Sequence, residues 1–590
     1  MHRIHTCVDL LHHIEAHHSN PKALNYRHND EWRSMSTQEF LQTVKELALG
    51  LIDLGMQKGE RVGILSTPTS YWTVADFAIM MAGGVTVPLF ANISDEHFQF
   101  QVKQTKMKLV LVNGHEQWEM YHRNAALFNR AIHLSPDSLG PISETRVTEL
   151  SEILKFGKDL NETMPTMYEE LQQEMQNTSL AAIIYTSGSS GTPKGVELTQ
   201  ENICCQLHHD DFQWDAKKDR YLSVLPLEHV FGHSVNFWVL FWGVSIYYTT
   251  DYKNVGLICT QIKPTCLIVV PRLLEKVHAS MVAKVQKSSG VKYIIGKLAL
   301  RLAHQTTVHP WQKPMIPLLN CLVYSKFRLG LGGKLRVIIC GGAHLAPHLQ
   351  QFFDKIGLNV YEGWGMTEAC PVCINVPTNH KIGTVGPALE GQQLQISPEG
   401  EILVKGPLVM KGYYLNPNLT SQTIDAQGWL HTGDKGSIDE AGRLTISGRI
   451  KELYKTSTGE YVAPIPIEQA LSTHPLIDAS MVVAEGKKFT TVLLFPNIQV
   501  LEQMKSEQGQ TNISDEQFLQ SQYIVNEMND LLRSVNKKLN HWEQLRAYRF
   551  VLKPLSVRDG ELTPSMKLKR ETITKKNHKL IDTMYEEEIQ

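Results

Sequence analysis

The chain has 590 residues, too many for a single hydrophobic core, so more than one domain is expected. Its 42% hydrophobic and 20% charged residues are ordinary for a globular protein, and a net charge of −2 gives no whole-chain electrostatic reason to bind nucleic acid. The start, Met1-His-Arg-Ile-His-Thr-Cys-Val-Asp9, lacks a signal peptide's apolar core, Phe237 to Tyr248 is shorter than the ~20 residues that span a bilayer, and nine scattered cysteines suit a reducing compartment, so a cytoplasmic location is expected.

In chain order, Val62–Leu65, Trp72–Ala82 and Val85–Leu89 read as strand, helix and strand, with Gly83-Gly84 stopping the helix. Short apolar runs follow at Leu109–Val112, Ala182–Tyr185, Leu267–Val270 and Val337–Cys340. Strands alternating with helical stretches predict parallel α/β layers. Residues 161–179, rich in Glu, Gln, Met and Thr, read as a solvated connection. Gly400–Val404, Trp429–Leu430 and Gly442–Ile446, spaced by turn signals, predict a smaller β-rich unit. A more charged segment begins near Gly448, and within it Asp515 to Lys538 reads as one amphipathic helix with Asp515 assisting its N-terminus.

The most informative stretch is 185–195, Tyr-Thr-Ser-Gly-Ser-Ser-Gly-Thr-Pro-Lys-Gly. Glycines let backbone amides approach a ligand, and consecutive amides in such a turn form an anion nest. Hydroxyls on Thr186, Ser187, Ser189, Ser190 and Thr192 add donors, and Lys194 adds charge. With the apolar run 180–185 delivering it, the loop reads as a polyphosphate cradle made of Thr186, Ser187, Gly188, Ser189, Ser190, Gly191, Thr192 and Lys194. A Walker A loop is excluded, because Pro193 precedes the lysine and Gly195 follows it. A flexible Ser/Gly linker is the other reading, opposed by the preceding strand, Pro193 and the lysine.

Further motifs follow in order: Leu225-Pro-Leu-Glu-His-Val-Phe-Gly232, Cys340-Gly-Gly-Ala343, Tyr361-Glu-Gly-Trp-Gly-Met-Thr-Glu368, Trp429-Leu-His-Thr-Gly-Asp434, Gly448-Arg-Ile-Lys-Glu452 and Leu562-Thr-Pro-Ser-Met-Lys-Leu-Lys-Arg570. Together with the loop, these seven motifs resemble the adenylate-forming (AMP-binding) superfamily, which includes acyl-CoA synthetases, adenylation domains of peptide synthetases and beetle luciferases. The last motif, with Asn536-Lys-Lys-Leu-Asn540 upstream, looks most like long-chain fatty acyl-CoA synthetases. The resemblance implies an α/β fold: a large N-terminal domain of α/β layers plus a β-rich subdomain (1–448), and a small mobile α+β C-terminal lid carrying a catalytic lysine (449–590).

It also implies roles. Carboxylate oxygen suits Mg²⁺, and the family matches place Glu368 and the Thr186 hydroxyl at the metal; Glu368 alone would read as a turn-capping surface residue. A flat ring facing close backbone is what a purine slot needs, and Trp364, with Gly365, Met366 and Thr367, matches one side of the base while Gly341, Gly342 and Ala343 match the other. Asp434 and Arg449 match ribose-binding positions, although an Asp beside glycine is often an Asx-turn. Lys567 matches the catalytic lysine that bridges two anions during adenylation; Met566 departs from the glycine found in many relatives. Lys451 matches the hinge and Lys455 a group serving the second half-reaction. His229 and Phe231 match positions near the acyl carboxylate. Phe237, Trp238, Phe241 and Trp242, at helical spacing, read as core or as an acyl tunnel, with core favoured.

The expected activity is ATP-dependent activation of a medium- or long-chain fatty acid as acyl adenylate, with Mg²⁺, followed by transfer to CoA; alternatives are an acyl carrier protein acceptor or release of the adenylate. Basic, apolar-studded residues from Lys292 to Arg336 read either as a peripheral contact with the inner face of a membrane or as a gate or core helix. Cys370-Pro-Val-Cys373, His208-His-Asp-Asp211 and the His13/His17 pair lack the partners a zinc, redox or hydrolase site would need.

Overall fold

Val337–Cys340 (Val-Ile-Ile-Cys) is apolar throughout and wholly buried, as a strand covered on both faces must be. The computed structural model describes residues 4–29, 31–135, 146–186, 193–209, 211–252, 254–305, 309–450, 454–557, 559–563 and 567–586. The chain divides into two compact units: Met1–Ser397 with Ile402–Thr432 and Ile438–Thr445, and Pro398–Glu401 with Gly433–Ser437 and Ile446–Gln590.

Two eight-stranded sheets carry the larger unit. One runs Gly412–Tyr413, Lys194–Thr199, Leu180–Thr186, Val85–Leu89, Arg61–Ser66, Leu109–Asn113, Arg130–His133, Val147–Glu149. The other runs Ala369–Ile374, Val360–Met366, Val337–Cys340, Cys266–Val269, Arg220–Ser223, Ser245–Tyr248, Leu24–His28, Glu31–Met35. Interior pairs are parallel and antiparallel pairs lie towards the ends of each sheet. The carboxyl ends of parallel strands are where open α/β sheets receive ligands. Thr186, Gly341 and the segment before His229 all follow such ends.

In the helical aromatic stripe Phe237 and Phe241 are core, whereas Trp238 and Trp242 are half-buried. On the helix Val230–Phe241, Phe237 and Phe241 are fully buried, and Phe237 stacks on Phe77 at 4.7 Å. Beside them the buried His233 Nε2 lies 2.7 Å from Asp76 Oδ2, tying this helix to Ser70–Met81.

The smaller unit is α+β. Its sheet runs Ile477–Val483, Thr490–Pro496, Leu545–Phe550, with helices including Gln522–Asn536 packed on it. A separate four-stranded sheet, Gln393–Ile396, Glu401–Lys405, Leu430–Ile438 and Leu444–Arg449, whose residues are divided between the two units, corresponds to the turn-spaced β segments.

Three local readings are amended. Residues 161–179 are solvated as read, with Tyr168 the one buried residue, but the helices Leu150–Thr163 and Met167–Gln173 cover much of them, which the reading did not include. The first packs against Thr37–Asp53 so closely that Gly157 has no room for a Cβ beside the Glu46 carbonyl, and Tyr168 buries its ring under Lys45. Residues 515–538 are two helices, Asp515–Leu519 and Gln522–Asn536, because the Ser521 side chain caps a new start by accepting the Ile524 amide. Asp434 lies inside the strand Leu430–Ile438, not in a turn.

Candidate active site

The hairpin Leu180–Thr186/Lys194–Thr199 closes with Thr186 opposite Lys194. This register fixes both ends of the predicted cradle at one strand end. Ser187, Gly188, Ser189, Ser190, Gly191 and Thr192 lie outside the described residues. Lys194 Nζ sits 5.6 Å from the centroid of the Tyr413 ring, and the Tyr413 hydroxyl donates to Glu368 Oε1 at 2.6 Å. Burial, followed by the negative charge of Glu368, pushes the Tyr413 phenol well above its ordinary range, so it remains a donor. Tyr413 is held there by pairing opposite Val196, and the Met410 amide donates to the Glu368 carbonyl at 2.8 Å.

Glu368 occupies a two-residue turn, Thr367-Glu368, joining Val360–Met366 to Ala369–Ile374. The residue is 9% exposed. One oxygen accepts a neutral hydroxyl, which leaves lone pairs for a hard cation. A carboxylate and the Thr186 hydroxyl are donor types Mg²⁺ accepts, because it usually takes one or two protein groups and completes its shell with phosphate and water. The residues fit that ion.

Three motifs meet at Gly341. A Cβ there would stand 3.1 Å from the Phe231 ring and 3.3 Å from the Gly363 carbonyl oxygen, so any side chain would need its neighbours to give by a few tenths of an ångström. Gly342 adopts φ +80, in the left-handed region. Buried Glu362 braces this loop, its Oε1 accepting the Leu345 amide at 2.9 Å and lying 3.6 Å from His344 Nδ1. Trp364 and Gly365 are half-buried on the next strand, with Gly365 packed against Pro371 Cα at 3.1 Å from a would-be Cβ. His229 caps the helix Val230–Phe241, its Nδ1 accepting the Phe231 amide at 3.2 Å, which leaves Nε2 as the donor in a neutral ring.

Glu228, one residue earlier, is buried too. Its Oε1 accepts the amide of Ala91, in the turn after the strand Val85–Leu89, at 3.3 Å, and its Oε2 has no hydrogen-bond partner among the described residues. Burial raises this carboxyl to about 7. Neither Glu228 nor Tyr413 nor Glu362 is singled out by sequence reasoning. Glu228 and Glu362 sit inside motifs and read as spacers, whereas Tyr413 lies on a two-residue strand with no periodicity to find.

In the smaller unit, Asp434 is 4% exposed and lies 2.9 Å from the Arg449 Nε. Lys451 lies outside the described residues. Lys455 pairs opposite Tyr461, with its Nζ 5.8 Å from that ring. Lys567 is exposed: its amide donates to the Thr563 hydroxyl at 3.0 Å, its carbonyl accepts the Thr563 amide at 2.8 Å, and Leu562 bridges Leu568. Arg570, three residues on, is a structural group, clasping Glu468 through two contacts of 2.5 and 2.7 Å.

Family models match twice, an AMP-binding enzyme over residues 11–414 and an AMP-binding enzyme C-terminal domain over 452–589. A Mycobacterium tuberculosis protein named long-chain-fatty-acid–CoA ligase FadD15 is 31% identical over 579 residues, covering 94% of this chain and 93% of that one. The human long-chain-fatty-acid–CoA ligase ACSBG2 is 27% identical over 610 residues, covering 95% and 90%. Among solved structures, the A domain of carboxylic acid reductase from Segniliparus rugosus, in complex with AMP and a co-purified carboxylic acid, has a TM-score of 0.76 at 18% identity, covering 99% of this chain and 94% of that one, which establishes a shared fold. Seven ordered motifs, a matching fold and family models spanning most of the sequence agree: the chain belongs to the AMP-binding enzyme family.

Proposed function

We propose that this protein is an ATP-dependent fatty acid–CoA ligase. A carboxylate is a poor electrophile, so the acid first attacks the α-phosphate of ATP. The bond to pyrophosphate breaks and an acyl adenylate forms. The thiol of CoA then adds to the acyl carbon, loses its proton, and AMP departs with the bonding electron pair. The relatives named as long-chain-fatty-acid–CoA ligases over nearly the whole chain support the acid and the acceptor.

The observation that carries the reading is the wired set Lys194–Tyr413–Glu368 at the mouth of the Thr186/Lys194 hairpin. It offers a cation to the polyphosphate and a carboxylate to its counterion within one buried network. Thr186 and Glu368 are assigned to hold Mg²⁺, whose chemistry there is neutralisation of phosphate charge. Residues 187–192 and Lys194 grip the phosphates, Trp364 to Thr367 and Gly341 to Ala343 flank adenine, and Asp434 with Arg449 takes the ribose. Lys567 stabilises the charge that develops in the first step, Lys455 serves the second, and Lys451 is the hinge. His229 orients the acyl carboxylate through Nε2.

The test is a panel of carboxylic acids of increasing chain length, scored by AMP formation with CoA, with acyl carrier protein, and with no acceptor. CoA-dependent turnover that peaks at medium or long chains is expected. Turnover only with carrier protein, or equal turnover without acceptor, would reassign the second step.

A further inference from the structure

One stretch of the larger unit is electrostatically unlike the rest of the chain. Between Lys276 and Phe353 there are eleven Lys and Arg and no Asp or Glu, so the other 47 basic residues share the remaining sequence with all 60 acids. Arg336 pairs with Asp219, Arg328 donates to the Ile356 carbonyl, and Lys297 Nζ lies 5.7 Å from the centroid of the Tyr293 ring on its own helix; Lys297 and the other eight are exposed.

Large apolar side chains stand among these cations. On the helix Gly290–His304, the exposed positions Gly290, Ile294, Lys297, Arg301 and His304 recur every three or four residues, while Gly296, Ala299 and Ala303 are buried. The outer face therefore mixes Ile294, 66% exposed, with two cations. The Tyr324 hydroxyl donates to the Ala299 carbonyl at 2.9 Å, which seats the segment Asn320–Tyr324 and its flanks on the same helix. That neighbouring segment adds exposed Leu318 and Leu329, and Trp311 before it is 70% exposed.

A second copy of the chain is a poor occupant for such a face, because a twofold contact would set cations against cations. Nucleic acid would satisfy the charge but gives no reason to leave tryptophan, isoleucine and leucine in water. An anionic bilayer satisfies both: lysine and arginine reach headgroup phosphates while apolar side chains enter the acyl boundary. We propose that this face, built from residues 290–304 and 311–329, docks the protein on an anionic lipid surface.

The test is co-sedimentation of the full chain with vesicles of phosphatidylcholine alone or mixed with phosphatidylglycerol, which requires no turnover and so stands apart from the ligase reading. Binding to the anionic vesicles is expected to be roughly tenfold tighter or more, and to weaken with salt. The double variant Lys297→Glu/Arg301→Glu should lose about tenfold or more in partition. Trp311→Ala should lose several-fold while keeping the salt dependence. Both alter exposed positions outside the candidate site, so the thermal transition and the activity on dissolved acid should match the parent protein. Equal binding to neutral and anionic vesicles, parent-like binding by the double variant, or binding of transfer RNA without binding of vesicles would overturn the proposal.

Discussion

Glu368 in the larger unit and Lys567 in the smaller unit are held in opposite ways. In the larger unit, the Glu368 carboxylate is buried, bonded by Tyr413 and backed by Lys194, and the loop beside Glu362 is braced by that residue's own carboxylate. In the smaller unit, the Lys567 side chain is exposed and its backbone is bonded to the Thr563 hydroxyl and amide. Groups that hold a substrate through every step profit from being fixed before it arrives, since no reorganisation is left to do. In the proposed function Lys567 serves only one of two half-reactions and must also leave, which an exposed side chain allows.

The sharpest way to break this contrast is Lys567→Ala. Pyrophosphate release should fall about 10²–10³-fold, equivalent to about 2.7–4 kcal/mol. Conversion of supplied acyl adenylate to thioester should persist. Equal loss in both assays would mean that Lys567 is as permanently engaged as Glu368.

Glu228 tests the fixed side of the comparison through pH. Its carboxyl is raised from 4.5 to about 7 by burial, so folding favours the neutral form. The stability this gives is fully present below about pH 4.5 and is lost as pH rises through about 7. Glu228→Gln should remove that slope, gaining about 3 kcal/mol over the parent at the alkaline end in denaturant melts. An unchanged slope would place the titration elsewhere.

Arg570→Ala separates scaffold from chemistry within one motif. Removing the clasp on mostly buried Glu468 should lower the stability of the smaller unit by about 2–3 kcal/mol, with far less loss of pyrophosphate release per folded molecule than Lys567→Ala. Calorimetry and the adenylation assay together decide it. The smallest effect belongs to Tyr413→Phe, which deletes one hydrogen bond to a carboxylate and should lower kcat/KM for ATP roughly tenfold, about 1.5 kcal/mol. No change would remove Tyr413 from the set.

Much of this was legible in the residues themselves. Val85–Leu89 and Val337–Cys340 are strands with the boundaries read from sequence, because uninterrupted burial leaves a run bounded by turn residues. Gly341, Gly363 and Phe231 sit in separate motifs whose meeting follows from strand order. Tyr413 was not legible, since its importance comes from an edge strand pairing with Val196, far away in the chain. The helices within 161–179 and the break at Ser521 escaped for a related reason: few apolar anchors mark the former, and a single serine side chain makes the latter.

The crowding at Gly341 has an implication for anyone reshaping this enzyme. One missing side chain is shared by the aromatic wall at Phe231 and the peptide plane at Gly363, so the two cannot be redesigned independently. Gly341→Ala paired with a trimmed Phe231 should recover much of what each change loses alone, a coupling that additive libraries would overlook. On the proposed site assignment, with Phe231 towards the acyl group and Gly341 and the Trp364 strand beside adenine, a change made for one substrate would also be felt by the other.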